Sequence, residues 1–591
     1  MPSPDVGGAA ALSSQGGVAT IGRVNQPAAA PAPGGGPRWI RRRLLFWIAT
    51  LSVPLVVLAC AELAARVVFP AGAADDAYVN LVDVPSFFAV KEIRGRRYYQ
   101  VTHPEAYRGR RILFPVEKPP GTFRIFVLGE SASAGWPHPP SEIFSVYLEQ
   151  ALARAFPERR FEVINVSAHA YAAYRIRLIF ENVIRFDPDA LVIWTGNNEF
   201  LERRSYLRSF PLATRAIGLA NHSALFRLVR ARVGPALFPE SSLSAQQRED
   251  AMADLITRLR QEAVELRADP AQLEGVKRHY AASVESMLGD AGRAGVPVVL
   301  VTVPVNLRDW QPNVSLQPLA GEALARWQAD FDAGRAALLR GDADEAVRRL
   351  EGAVRQSPDH AGSHFALARA FEVRREWEQA LASYERACDL DGNPFRALSD
   401  FNRALREIAG RHENATLVDA AGAFVAASAP RAPGFDLFLD YVHPTQAGNL
   451  LVARVVFDAL LGAGLLGPTA GEASFVHVPA PFYEDGSPYD ESRDLRMQTI
   501  LFSLMGVMHQ HEAMLEVARR LAASGRPTLP VVGQVLEVFP PYLELERRRL
   551  LGQPVDAAEA RAIEERFQGF YQKQRDAAGG SAGEIAEPDA S

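Results

Sequence analysis

The sequence predicts an α/β protein built on a parallel sheet, with an all-helical insertion and a helical C-terminal region. Three observations predict it. Short apolar runs alternate with segments of helical periodicity. The fourth and fifth of these runs lie more than a hundred residues apart, so something is inserted between them. The intervening stretch repeats with a period of 34 residues.

Composition sets the outer limits. A chain of 591 residues is too long for one core and implies several domains. Its hydrophobic content of 48% and charged content of 23% are those of a globular protein. A formal net charge of −5 is small for this length and gives no case for a nucleic-acid partner. Two cysteines, Cys60 and Cys388, exclude a disulfide framework and a cysteine zinc site.

Residues 1–37 are rich in Ala, Gly, Pro and Ser without periodicity and read as a disordered tail. Residues 40–68 read as a single transmembrane anchor. Leu44 to Ala61 is a run of eighteen uncharged residues, near the minimum for a spanning helix. Arg38, Arg41, Arg42 and Arg43 precede it, which places the N-terminus in the cytoplasm and all that follows outside. A cleaved signal peptide and a lipoprotein cleavage box at 57-VLAC-60 are the competing readings. The localisation expected is a bacterial inner membrane, crossed once, with the remainder periplasmic.

The sheet domain occupies residues 85–310 and resumes over 411–465. Its strands are 124-RIFVL-128, 161-FEVINV-166, 189-DALVIW-194, 297-PVVLVTV-303 and 415-ATLVD-419. Near-continuous apolar runs of this kind belong to strands covered by helices on both faces. The first helix is expected over 142–156. The insertion spans 322–410. Ala346 pairs with Ala380, Leu350 with Tyr384 and Ala353 with Ala387, while Gly334 and Ala368 hold the small position of each first helix. That period is the one of tetratricopeptide repeats, and a further helix is expected over about 396–410. The repeats act either as a spacer or as the seat of a protein partner. Residues 470–573 are helical, with amphipathic patterns over 491–524 and 542–552, and 574–591 reads as a frayed tail.

In such a sheet the ligand site lies beyond the carboxyl ends of the strands. Ser131 follows the first strand in 129-GESASAG-135, and 165-NVSAHAYAAY-174 follows the second. Next come 195-TGNNEF-200 after the third and 438-FLDYVHPTQAGN-449 beyond the fifth, where Asp440 and His443 stand three apart. A serine hydroxyl needs a base to become a nucleophile. A histidine oriented by a carboxylate is such a base near neutral pH. Each segment alone also reads as an ordinary turn or helix cap.

Together these blocks resemble the SGNH/GDSL hydrolases, and within them a membrane-anchored subgroup carrying tetratricopeptide repeats. The resemblance covers roughly residues 120–460 and includes 299-VLVTVPVNLRDW-310. It implies a flavodoxin-like three-layer sandwich with a five-stranded parallel sheet. It also implies Ser131 as nucleophile, His443 as general base and Asp440 as the residue orienting the imidazole. The oxyanion hole would be the backbone N–H groups of Ser131 and Ala170 and the side-chain amide of Asn198. Ala170 stands where the family has glycine, and Glu130 where the family has aspartate. If the backbone needs a positive φ at Ala170, alanine costs on the order of 1 kcal/mol there. Ser133 is the alternative nucleophile, but it matches no block. Asn197, Glu199, Asn306 and Arg308 are candidate substrate contacts; His138 and His169 read as structural. Seven arginines and no acid lie between Arg203 and Arg232, which suits anionic lipid, an anionic substrate, a lid or a solvated helix face. No cofactor is expected, since neither metal-ligand spacing nor a nucleotide loop is present.

The function expected is hydrolysis of an O-acyl ester on a cell-surface glycan or lipid. An O-acyltransferase would use the same residues with an alcohol in place of water. A non-catalytic repeat scaffold is the rival from outside enzymology.

Overall fold

The structure, a computed structural model, describes residues 56–65, 87–102, 112–138, 140–201, 267–467, 473–476, 508–525 and 527–580, with scattered positions besides. They fall into two units. One holds the N-terminal segment to Ala71 with Ser223–Leu228, and the other holds the rest. Residues 56–65 are helical, with Val56, Val57, Leu58 and Leu63 exposed. Among the described residues no helix is long and apolar enough to cross a membrane. About half of the expected anchor lies outside the described residues, as does the arginine-rich segment 203–232 apart from Leu225.

The second unit begins with a small antiparallel sheet of β1 (Phe88–Ile93), β2 (Arg96–Val101) and β3 (Leu113–Pro115), which sequence reading did not anticipate. Its charges are the reason: Lys91, Glu92, Arg94, Arg96 and Arg97 are exposed, so no apolar run marks it.

The main sheet is parallel and contains β4 (Thr122–Gly129), β5 (Arg160–Asn165), β6 (Ala190–Trp194), β7 (Val298–Val301) and β8 (Ala415–Val418). All five expected strands are present. Their order across the sheet is β5-β4-β6-β7-β8, the doubly wound order that reverses direction at β4. One face is covered by α1 (Phe144–Ala155), which packs against β5, and by α10 (Gln446–Gly462) with α9 (Ala420–Ser428). The other carries α2 (Ala173–Val183), α3 (Pro270–Arg293) and α8 (Ser399–Ala409). Three layers result. Phe126, Val127, Leu128, Val192, Ile193, Val299 and Leu300 between them are fully buried. Arg124 is buried in β4 because it is fully paired: it donates to Glu162 at 2.9 Å and to the carbonyl oxygens of Phe186 and Pro115.

Between β7 and β8 the chain leaves the sheet and forms two helical hairpins. The first is α4 (Gly321–Arg340) with α5 (Ala343–Gln356), and the second is α6 (Ala361–Val373) with α7 (Trp377–Asp389). The small position of the first hairpin has a steric cause. A Cβ on Gly334 would lie 2.6 Å from Leu350 Cγ. In the second hairpin Ala368 shares a buried cluster with Tyr384 and Ala387. The helix expected over about 396–410 is α8, which begins at Ser399, and residues 391–398 before it are irregular.

Among its described residues the C-terminal region includes α11 (His511–Ala523), α12 (Pro530–Leu550) and α13 (Ala557–Gly580). Within the amphipathic stretch 491–524 the helical conformation is interrupted just before α11. His509 there has a φ of 53°, a left-handed conformation that no α-helix continues through. The helix expected over 542–552 starts earlier, at Pro530, and runs through Pro540 and Pro541. The tail expected from 574 is helical as far as Gly580.

Candidate active site

The loops at the carboxyl ends of β4, β5 and β6, next to the point where strand order reverses, meet the turn before α10. Ser131 stands two residues beyond β4, half-buried, in a run of turns. Helix α1, expected over 142–156, starts only at Phe144. Gly129 is required by close approach. A Cβ on it would lie 2.1 Å from both Ser133 Oγ and the carbonyl oxygen of Trp194. Ser133 is fully buried and donates to the Glu130 carbonyl oxygen at 2.9 Å, so Ser131 is the serine left open.

His443 Nε2 lies 2.8 Å from Ser131 Oγ, and its Nδ1 lies 2.6 Å from Asp440 Oδ2. The other oxygen of Asp440 accepts from the backbone N–H groups of Val442 and His443 at 2.9 and 2.8 Å. One buried carboxylate therefore folds the turn and orients the ring. With Nδ1–H bound to the carboxylate, Nε2 carries the lone pair that can accept the serine proton. Trp136 packs its edge on the His443 ring at 4.6 Å and limits the ring's rotation.

Ala170, an exposed residue of the turn after β5, has a φ of 57°. The left-handed backbone that glycine would favour is therefore what alanine adopts here. Among the described residues the N–H groups of Ser131 and Ala170 donate to no protein acceptor. Asn198 is buried, and its Nδ2 donates to the Tyr171 carbonyl oxygen at 3.3 Å, which ties the β6 loop to the β5 loop and leaves its second amide hydrogen for a ligand.

Glu130 does its work below the site. Its carboxyl accepts from the backbone N–H groups of Gly196, Asn197 and Asn198 at 3.2, 2.8 and 3.1 Å, gathering the loop that presents Asn198. Burial pushes it up to about 8, against the pull of those donors and with the charge of Glu199 adding to the rise.

The four candidate substrate contacts are engaged elsewhere. Asn197 Oδ1 accepts from the Ala397 amide at 2.9 Å. Glu199, fully buried, accepts from the Ala173 amide at 2.7 Å and fixes the start of α2. Asn306, also fully buried, donates to the Asp440 carbonyl oxygen at 2.9 Å. Arg308 is paired with Asp309 and Asp436. All four follow strands, as the sequence reading required; each has an internal partner, and among the described residues Asn197 Nδ2 has none of its own. His138 Nε2 hydrogen-bonds the Pro444 carbonyl oxygen at 2.7 Å and steadies the residue after His443. Among the described residues no group of His, Cys, Asp and Glu could hold a metal ion.

Arg396 escaped the sequence reading. It is buried, and it lies in a stretch with no motif around it. A charged residue between apolar neighbours, 394-PFRAL-398, was the only signal.

No family model and no curated protein matches the chain. Several solved structures are similar to it. Axe2, an acetylxylan esterase from Geobacillus stearothermophilus, is 15% identical with a TM-score of 0.26, over 57% of this chain and 94% of that one. LAE5, an alpha/beta hydrolase enzyme from the metagenome of Lake Arreo, is 13% identical with a TM-score of 0.27, over 58% and 97%. A GDSL-like lipase from Bacteroides thetaiotaomicron is 12% identical with a TM-score of 0.24, over 57% and 88%.

Proposed function

We propose that the chain is a serine esterase of SGNH type that hydrolyses O-acyl esters of a cell-surface glycan or lipid. In this reading residues 40–68 anchor it in a bacterial inner membrane and hold the catalytic part on the extracytoplasmic side. The hairpins are tetratricopeptide repeats that hold a protein partner. The observation that supports the chemistry is the unbroken hydrogen-bonded run Asp440–His443–Ser131.

The steps follow from that geometry. Ser131 Oγ attacks the ester carbonyl carbon as its proton passes to His443 Nε2, and Asp440 stabilises the imidazolium. The carbonyl oxygen becomes an oxyanion that accepts from the N–H groups of Ser131 and Ala170 and from Asn198 Nδ2. One such donor contributes about 3 kcal/mol to transition-state stabilisation. The C–O bond to the leaving alcohol breaks, His443 returns the proton to that oxygen, and the acyl group stays on Ser131. Water then repeats the sequence and releases the acid.

Labelling of the purified chain with a fluorophosphonate and turnover of 4-nitrophenyl acetate test the reading. We expect both in the wild type, and Ser131→Ala abolishes both. A wild-type chain that neither labels nor turns over the ester overturns the reading and favours a scaffold. Acyl transfer to an added alcohol in preference to water would make the enzyme an acyltransferase.

A further inference from the structure

The two ends of the helical insertion are knotted together. The amides of Asn313 and Val314, on the leading side, donate to Asp391 at 2.8 and 3.0 Å. Gly392 N donates to the Val314 carbonyl oxygen at 2.7 Å, and Asn313 Nδ2 to that of Asn393 at 2.9 Å. From this knot residues 391–398 run to α8, and two of them reach the sheet's loops. Arg396 donates through Nη1 to the carbonyl oxygens of Asn306 and Trp310 at 2.8 and 2.9 Å, while its Nη2 lies 3.5 Å from Asp391. Asn306 is the residue whose side chain holds the Asp440 carbonyl oxygen, and its own N–H donates to the Tyr441 carbonyl oxygen at 2.9 Å. The next residue, Ala397, gives its N–H to Asn197, the neighbour of Asn198.

We propose that the neck of the insertion, residues 391–398, is a positioning element of the active site. Through Arg396 and Asn306 it sets the turn carrying Asp440 and His443. Through the Ala397 amide it sets the loop carrying Asn198. The proposal rests on the esterase reading. Its physical basis is that these contacts are buried, so no water replaces them when they are lost. Two consecutive residues grip the base-bearing turn and the oxyanion loop. A shift of the neck therefore moves both, although neither Arg396 nor Ala397 bears on the reacting atoms. A shift of the order of 1 Å at a catalytic group costs roughly 100-fold in rate. The insertion is thereby wired to catalysis through its stem.

The test uses the full-length chain. The double variant Arg396→Met with Asp391→Asn removes the grip without leaving an unpaired buried charge. Arg396→Lys keeps a cation able to reach one carbonyl oxygen. Asn197→Ala cuts only the second grip and serves if the double variant does not fold. Read-outs are kcat and KM for 4-nitrophenyl acetate, the rate of fluorophosphonate labelling, and the unfolding midpoint. We expect the double variant to lose about 100-fold in kcat and in labelling rate, with KM within about threefold of wild type. Arg396→Lys should recover about tenfold of that loss, and Asn197→Ala should lose about tenfold in kcat. A folded double variant with unchanged kcat overturns the proposal, as does an Arg396→Lys no better than the double variant or an Asn197→Ala as active as wild type. Those outcomes are separable from failure of the esterase reading, in which the wild type itself is inert and both fall.

Discussion

Ala170 holds a strained backbone at a position proposed above as an oxyanion donor. Its φ of 57° is the left-handed backbone that glycine would favour. Only the N–H is needed for an oxyanion, and alanine has one. The side chain adds a steric cost that glycine would not carry. Ala170→Gly should therefore stabilise the fold by about 1 kcal/mol, the relief of strain being partly offset by the greater entropy of the unfolded glycine chain. Denaturant unfolding measures this, and ester turnover should stay within about threefold because the donor is retained. A variant less stable than wild type would mean that the Ala170 methyl makes a contact outweighing the strain. Glu130 is the complementary case. The position differs from the family's aspartate by one methylene, yet it takes three amides of the loop behind Asn198.

At the scale of elements, legibility depended on whether a segment's partners are close in sequence. The strands β4 to β8 were readable because Val, Ile, Leu and Phe fill them and both faces are covered. The hairpins were readable because Gly334 and Leu350, and Ala368 and Tyr384, sit within one repeat of each other. Ser131, Asp440 and His443 were readable because each follows a strand or sits in a short turn. By contrast, the internal partners of Asn197, Glu199 and Asn306 were not legible, because nothing nearby in sequence announces Ala397, Ala173 or Asp440. The β1–β3 sheet was missed because consecutive residues of β1 are exposed and charges crowd β1 and β2, so neither an apolar run nor an alternation marks it.

One element also carries a pH dependence. His360 caps α6 by accepting from the Ser363 N–H at 3.0 Å, which it can do only with Nδ1 unprotonated. Packed against Trp327 at 4.6 Å and Phe331 at 5.5 Å, its imidazole is lowered from 6.5 to about 4, chiefly by burial and then by His364. The folded state thus binds the proton less readily than the unfolded chain. The stabilisation is fully present above about pH 6.5 and is lost as pH falls towards about 4. His364 and His511 are lowered in the same direction, so only a difference isolates His360. His360→Asn retains a good cap and removes the titration. Its melting temperature should fall less than that of wild type between pH 6.5 and 4.5, as followed by circular dichroism. Equal falls in the two proteins would assign the acid sensitivity elsewhere.

For the whole molecule, the question is whether the C-terminal helices are an appendage or part of the sheet domain's core. Sequence reading found no chemistry in them and set them apart at residue 470. The packing joins them instead. Trp310, Phe395 and Phe435 from the loops over the sheet share one buried cluster with Met505, Met514, Val532, Val535, Phe539, Phe567 and Phe570. Arg520 donates to the Phe435 carbonyl oxygen at 2.9 Å, and Gln510 to that of Gln311 at 3.1 Å. The same cluster backs Tyr441, whose ring lies 5.2 Å from that of Trp310 and 5.9 Å from that of His443. Phe539 is fully buried at the far side, among Phe567 and Phe570. Phe539→Ala should destabilise by about 3–5 kcal/mol, as large-to-small changes in packed cores do. An appendage would confine that loss to α11–α13. A shared core transmits it, so amide hydrogen exchange should quicken over 306–310 and 435–443 as well, and ester turnover should fall at temperatures where wild type is still fully active. Exchange that quickens in the helices alone, with turnover intact, would separate the C-terminal region from the catalytic core.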